Sequence, residues 1–257
     1  MKLSRRNFLS AATGAAATFW SSIGLTAAGS WSERGPGCVV LDLNADCALR
    51  ESLQGYQAAL AGEHNHLAEA SLNSQRPCRL AIVPGIGAMD PVIAGMLLDL
   101  LEAGTHVLLE SGAGFLSPAE LTAHQRMLQR YFDIVVHAPV DLWPGKSAHD
   151  PLIARPSGRH PSKRLDGRES VPYVDYVWPH ETRVRDFSRV IPVSANAEDI
   201  IGAIGVTPVA LKKCVANGTL IFLGSPLGPA LRAHDSEAHA WLRSVTASTQ
   251  VLQAFLA

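Results

Sequence analysis

Residues 79–114 read RLAIVPGIGAMDPVIAGMLLDLLEAGTHVLLESGAG and predict a strand, a helix and a second strand in succession. The first apolar run ends at Pro84-Gly85, a pair typical of turns. Asp90 precedes Pro91, as expected of an N-cap followed by proline in the first helical turn. Gly104 ends the helical spacing, and His106–Glu110 is again apolar. Continuous apolar strands that alternate with a helix predict a parallel sheet covered by helices.

The alternation extends to both sides of this stretch. Towards the N-terminus, Cys38–Leu43 predicts a strand and 48–61 a helix; towards the C-terminus, Ser117–Glu120 is a capping box that opens a helix. Further predicted elements are strands at 133–137, 173–178, 188–193, 208–215 and 219–225, with a hairpin turn at Asn217-Gly218, and a helix at 235–255. We therefore predict an α/β fold: a mostly parallel sheet with helices on both faces, ending in a C-terminal β-hairpin and helix.

The N-terminus has a different character from the rest of the chain. Residues 1–28 resemble a twin-arginine export signal, because Ser4-Arg5-Arg6 is followed by Phe8-Leu9 and then by an Ala/Gly/Ser-rich stretch. The short stretch could also be a membrane anchor. We expect a linker at 29–37, a single domain at 38–257 with a Pro-rich loop at 138–172, and a periplasmic location.

Composition narrows the class of protein. The formal net charge of −1 becomes −4 without residues 1–28, which hold three basic residues and no acidic one. Together with only 6% aromatic residues, this excludes a nucleic-acid-binding surface. No other apolar run is long enough to span a membrane. The four cysteines allow three disulfide pairings or none, and their spacing predicts neither a metal site nor a cofactor.

Three landmarks, in order, resemble the class I glutamine amidotransferase-like superfamily, which has a flavodoxin-like α/β fold. Ala81–Gly87 is similar to the strand and turn that supply an oxyanion-hole amide in that family. Val107–Phe115 resembles the nucleophile elbow, and the hairpin at 208–225 resembles the paired strands before a His-Pro-Glu sequence. The resemblance covers most of residues 38–245.

The chemistry of that family is missing from these positions. Its nucleophilic cysteine falls at Ser111, or at Gly112 if the turn lies one residue later, and its His-Pro-Glu site reads Ser225-Pro226-Leu227. A serine needs a neighbouring base to become a nucleophile. The resemblance therefore implies a protein without glutaminase activity.

The predicted site lies at the carboxyl ends of the strands, where open parallel sheets bind ligands. Glycines there allow backbone amides to approach a small anion or a carbonyl group. The expected ligand-binding residues are Gly85, Gly87, Gly112, Gly114 and Ser225, and Ser111 is the candidate nucleophile.

Two functions follow from these residues. The first is a non-catalytic periplasmic protein that binds a small ligand or acts as the accessory subunit of a protein partner. The alternative is a periplasmic serine hydrolase that uses Ser111, an oxyanion hole at Pro84-Gly85, and His137 or His180 as base. Two further observations leave other roles open: His64 and His66 could hold a metal, and the basic residues at 155–168 could meet an anionic partner.

Overall fold

The computed structural model describes residues 37–43, 50–61, 78–111, 115, 117–140, 172–186 and 190–254. These residues belong to one compact unit, Gly35–Ala257. The predicted export signal, nearly all of the linker and most of the Pro-rich loop lie outside the described residues. Those assignments stay predictions.

The described chain contains five helices and ten strands. The helices are α1 (Arg50–Leu60), α2 (Pro91–Glu102), α3 (Pro118–Phe132), α4 (Gly228–Arg232) and α5 (Ser236–Ala254). The strands are β1 (Cys38–Val40), β2 (Leu80–Ile86), β3 (His106–Ser111), β4 (Val135–Val136), β5 (Tyr173–Tyr176), β6 (Thr182–Arg185), β7 (Val193–Ser194), β8 (Ile200–Ile204), β9 (Thr207–Val215) and β10 (Gly218–Leu223). The sequence patterns did not predict β6, β8 or α4.

The main sheet has eight strands in the order β1-β2-β3-β10-β9-β8-β5-β6. Strands β1, β2, β3 and β10 are parallel, whereas every pairing from β10 to β6 is antiparallel. The fold is therefore mixed α/β, and the prediction of a mostly parallel sheet is wrong. The reason is the length of the connections: tight turns join β8 to β9 and β9 to β10, and a tight turn can join only antiparallel strands.

The predicted strand at 133–137 forms, but not in the main sheet. Val135 and Val136 pair with Ser194 and Val193 in a separate two-stranded antiparallel sheet. Asp133, two residues before Val135, ends α3 in a left-handed conformation, with φ of 55°. The chain therefore leaves α3 through a sharp turn.

Two hydrophobic cores lie on opposite faces of the main sheet. Side chains alternate along a strand, so Leu80 and Ile82 belong to one core and Ala81 and Val83 to the other. Tyr56 of α1 and Trp241 of α5 pack in the first core. Leu97 and Leu101 of α2 and Leu128 and Phe132 of α3 pack in the second. Helices thus cover both faces.

Local sequence signals set the starts of two helices as predicted. The side chain of Asp90 accepts a hydrogen bond from the backbone N–H of Ile93 at 2.8 Å, and Pro91 follows it. The hydroxyl of Ser117 accepts one from the N–H of Glu120 at 3.3 Å. Among the described residues, no helix is both long and apolar enough to cross a membrane.

Candidate functional site

Pro84 and Gly85, predicted to form a turn with an oxyanion-hole amide, lie within β2, and the amide of Gly85 is not available to a ligand. Gly85 has a left-handed backbone, with φ of 49°. Its N–H points inward and donates to Oε2 of Glu110 at 2.9 Å. A carboxylate of the chain itself therefore takes the place of the expected oxyanion. Gly87, two residues later, is half-buried, and a Cβ at this position would have no neighbour within 4 Å.

Glu110, the last residue but one of β3, collects donors from three other elements. Its Oε1 accepts from the N–H of Gly228 at 2.9 Å and from the hydroxyl of Tyr56 at 3.3 Å. Its Oε2 accepts from the hydroxyl of Ser52 as well as from Gly85. Burial raises the pKa of Glu110, and these hydrogen bonds oppose the rise. These hydrogen bonds connect α1 and α4 to the carboxyl ends of β2 and β3. Glu110 is fully buried, so its carboxylate is not accessible to solvent.

Ser111 forms a buried pair with His124, a residue of α3 that the sequence analysis did not select. The Oγ of Ser111 lies 2.9 Å from Nε2 of His124, and both residues are fully buried. The backbone N–H of Met89 donates to Nδ1 of the same ring at 3.2 Å. A neutral imidazole has one N–H, so an accepting Nδ1 places that proton on Nε2. Nε2 then donates to Ser111 and cannot take its proton.

This geometry does not suit a serine nucleophile. Burial lowers the pKa of His124 to about 4, which keeps the ring neutral near pH 7. The group behind the ring is the Met89 amide, where a catalytic triad has a carboxylate. The two histidines named as candidate bases lie elsewhere: His137 contacts Ser194 at 2.7 Å through its Nε2, and His180 is half-buried between β5 and β6.

We expect the Ser111–His124 pair to make folding stability depend on pH. A histidine whose pKa is lower in the folded than in the unfolded protein makes its full contribution to stability when the pH is above the unfolded-state pKa of 6.5. That stability is lost as the pH falls towards 4. The loss amounts to about 3 kcal/mol. Urea unfolding of the wild type and of His124→Asn, measured above pH 6.5 and again near pH 4, checks this. The difference in unfolding free energy between the two proteins should be smaller at the lower pH. A difference that is the same at both pH values would contradict it.

Of the three remaining predicted ligand-binding residues, the structure describes only Ser225. Ser225 is 3% exposed and donates to Oδ1 of Asp186 at 2.7 Å. Gly112 and Gly114 lie outside the described residues, as do His64, His66 and the basic residues at 155–168. A ligand-binding role for these residues and for Gly85 and Gly87 stays a prediction. Within the described part of the chain, no three His, Cys, Asp or Glu side chains are grouped to hold a metal.

A cleft of about 320 Å³ opens where α3 ends and β7 turns towards β8. Its walls are mostly polar. One wall comes from Asp133 and from Lys213 of β9, and the other from the turn that follows Ser194. The full lining is Asp133, Ser194, Ala195, Asn196, Asp199, Leu211 and Lys213.

Backbone and ion-pair contacts hold the polar groups of this cleft in place. Nζ of Lys213 donates to Oδ2 of Asp133 at 2.8 Å and to its carbonyl oxygen at 3.0 Å. On the other wall, the N–H of Asp199 donates to the carbonyl of Asn196 at 3.0 Å, and the carbonyl of Asp199 accepts from Lys212 at 2.8 Å. The residues that line the cleft therefore carry carboxylate, amide, hydroxyl and ammonium groups, and contacts hold the side chains of Asp133 and Lys213 and the backbone of Asp199 in place.

The cleft was not predicted from the sequence because its groups are distant along the chain. The cleft lies beside β9, where Lys213 pairs with Leu220 and Leu211 with Phe222, and not at the turns where a site was expected. Asp133 reads as an ordinary residue between a helix and a strand. Only its left-handed backbone conformation, which Asp tolerates better than most residues, distinguishes it.

Comparison with known proteins gives a likeness of fold only. No family model and no curated protein matches this sequence. Among solved structures, an exo-β-1,4-mannosidase from an Opitutaceae bacterium matches at 10% identity and a TM-score of 0.53. A β-galactosidase from Bacillus circulans matches at 12% and 0.52, and an α-L-fucosidase from Paenibacillus thiaminolyticus at 9% and 0.51. These alignments cover 82%, 81% and 82% of this chain.

The chain spans only about a third of those proteins, covering 36%, 31% and 32% of their respective lengths. The matches nevertheless overturn the expected relationship to the glutamine amidotransferase-like superfamily and its flavodoxin-like fold, since the similar structures are glycosidases. The expected functions, an amidotransferase-like accessory protein or a Ser111 hydrolase, are wrong for the same reason. The physical reason against a Ser111 hydrolase is that Nε2 of His124 carries a proton and cannot accept the one on Ser111.

Proposed function

We propose that this protein binds a carbohydrate in the cleft between Asp133 and Asp199. The observation that carries the proposal is the set of side chains in that cleft. Carboxylate and amide oxygens accept from sugar hydroxyls, while the ammonium of Lys213 and the amide of Asn196 donate to them. The likeness of fold to part of several glycosidases supports carbohydrate as the ligand class.

The size of the cleft suits one or two sugar rings. Small-molecule sites have volumes of about 300–1,000 Å³, and this cleft, at about 320 Å³, lies at the lower end of that range. Polar groups in such sites fix the orientation of a ligand when their own positions are fixed. The two backbone hydrogen bonds of Asp199 and the ion pair of Asp133 provide that rigidity.

We propose binding, and not glycoside hydrolysis, at this site. Hydrolysis needs two carboxyl groups, one of which must hold a proton to donate to the leaving group. Of the two carboxylates among the lining residues, that of Asp133 is held in an ion pair by the ammonium of Lys213 at 2.8 Å. In the proposed binding mode Asp133 is a hydrogen-bond acceptor for sugar hydroxyls.

We expect isothermal titration to detect binding of a simple methyl glycoside. The neighbours suggest methyl β-D-galactoside, methyl β-D-mannoside and methyl α-L-fucoside as first ligands. Asn196→Ala should weaken the binding about tenfold, because it removes both a donor and an acceptor from the cleft wall. Glu198→Gln is the matched control, since Glu198 is exposed on the same turn but does not line the cleft.

Two outcomes would contradict the proposal. One is an absence of heat with all three glycosides at millimolar concentration. The other is equal affinity of the wild type and Asn196→Ala, which would place the sugar elsewhere on the protein. Incubation with the corresponding p-nitrophenyl glycosides tests hydrolysis in the same samples, and we expect no release of p-nitrophenol. Export of the folded chain through its twin-arginine segment would place this binding in the periplasm.

A further inference from the structure

Among the described residues that line the cleft, negative charges outnumber positive ones. Asp133 and Asp199 each contribute a carboxylate, and Lys213 contributes the one ammonium among the lining residues. Lys213 is committed to Asp133 through two hydrogen bonds. Within the described ranges, the carboxylate of Asp199 forms no ion pair. The described lining of the cleft therefore carries one more negative than positive charge, and the carboxylate without an ion pair is that of Asp199.

The position of this charge is set by the backbone. The backbone carbonyl and N–H of Asp199 both form hydrogen bonds, so the Cα that carries its side chain has a fixed position on the cleft wall. The residue is half-buried, which limits the screening of its charge by water. The neighbouring Asn196 and Ser194 supply neutral polar groups on the same wall.

From this arrangement we infer that the ligand of the cleft is an amino sugar with a free, protonated amine. Its ammonium binds the carboxylate of Asp199, while its hydroxyl groups bind Asp133, Asn196 and Ser194. A uronic acid would bring a second negative charge to Asp199 and is disfavoured. A neutral sugar would leave the negative charge of the cleft uncompensated. The inference rests on the proposed carbohydrate-binding function and specifies its ligand class.

The test compares three ligands that differ only at one position of the ring: methyl β-D-glucosaminide, methyl β-D-glucoside and methyl N-acetyl-β-D-glucosaminide. Titrations are run at about pH 6, where the free amine carries its proton. We expect the amine to bind about three- to tenfold more tightly than the other two, the gain typical of a partly exposed charge-assisted hydrogen bond. N-acetylation removes the charge and should remove the gain.

Asp199→Asn tests whether the carboxylate of Asp199 is responsible for the preference for the amine. In this variant the ratio of affinities between the amine and the neutral glucoside should fall to about one, whereas Glu198→Gln should retain the wild-type ratio. The wild type itself offers an independent measurement that requires no substitution. Its preference for the amine should decrease as sodium chloride is raised, because salt screens the attraction.

The possible failures are distinguishable. If the three ligands bind the wild type equally, the amino-sugar inference is overturned and the carbohydrate-binding function stands. If the amine preference persists in Asp199→Asn, the charge lies elsewhere and the inference is overturned as well. If none of the three binds, and the glycosides of the neighbours do not bind either, the proposed function itself is wrong.

Discussion

Replacement of Glu110 by alanine should lower the free energy of unfolding by about 3–5 kcal/mol. The variant leaves the N–H groups of Gly85 and Gly228 and the hydroxyls of Ser52 and Tyr56 without their acceptor. Buried donors without partners each cost about 1–3 kcal/mol. The release of a carboxylate whose pKa is raised by burial offsets part of this cost. Urea unfolding followed by circular dichroism measures the loss.

Two further variants make the result specific. In Glu110→Gln one oxygen becomes an NH₂ group that faces a backbone N–H, so we expect a substantial loss despite nearly unchanged size. Glu102→Gln is the control, because Glu102 is exposed at the end of α2 and should change stability by about 0.5 kcal/mol or less. A loss in Glu110→Gln no larger than that of Glu102→Gln would show that the hydrogen bonds contribute little.

The second large effect is expected for Gly55→Ala, in the middle of α1. A Cβ at position 55 would overlap the carbonyl oxygen of Gly228, a backbone atom at the start of α4 that cannot rotate away. The two helices must separate, which also lengthens the hydrogen bond from Gly228 to Glu110. We expect a loss of about 3 kcal/mol or more, since overpacking and loss of a buried hydrogen bond combine.

Gly95→Ala provides the matched comparison within the same fold. Gly95 is also a helical glycine, in α2, but a Cβ there would have no neighbour within 4 Å. Alanine has the higher helix propensity, so this variant should gain about 0.5–1 kcal/mol. Thermal and urea unfolding of both variants should therefore show shifts in opposite directions. A gain in stability for Gly55→Ala would mean that α1 and α4 are not in close contact.

The helices and strands that could be predicted are those determined by residues close together in the sequence. Asp90 with Pro91, Ser117 with Glu120, and the apolar runs of β2 and β3 place helices and strands within a few positions of where they occur. The antiparallel hairpin of β9 and β10 was predicted from Asn217-Gly218 and is confirmed. The antiparallel pairings of β8 with β9 and of β5 with β8 and β6 were not predicted, because no sequence pattern marked β6 or β8 as strands. Similarity of three landmarks also suggested a family that the comparisons do not support.

The site was less predictable because its groups meet only through tertiary structure. Glu110 appeared to be merely the polar end of a strand, and its donors come from positions as distant as Ser52 and Gly228. His124 lies on the buried face of α3 with Leu128 and Phe132, and its spacing in the sequence does not distinguish it from an ordinary core residue. Asp133 and Lys213 pair across eighty positions of sequence. No local pattern contains these relationships.

The switch from parallel to antiparallel pairing at β10 has a consequence for assembly of the chain. β10 is the strand that joins the two halves of the main sheet, since Leu220 pairs with Val107 on one side and with Lys213 on the other. During synthesis the parallel half is complete up to β3 long before β10 emerges. Until then β3 presents an open, apolar edge, the kind of edge that pairs with other chains. Nascent or truncated forms that end before β10 should therefore aggregate.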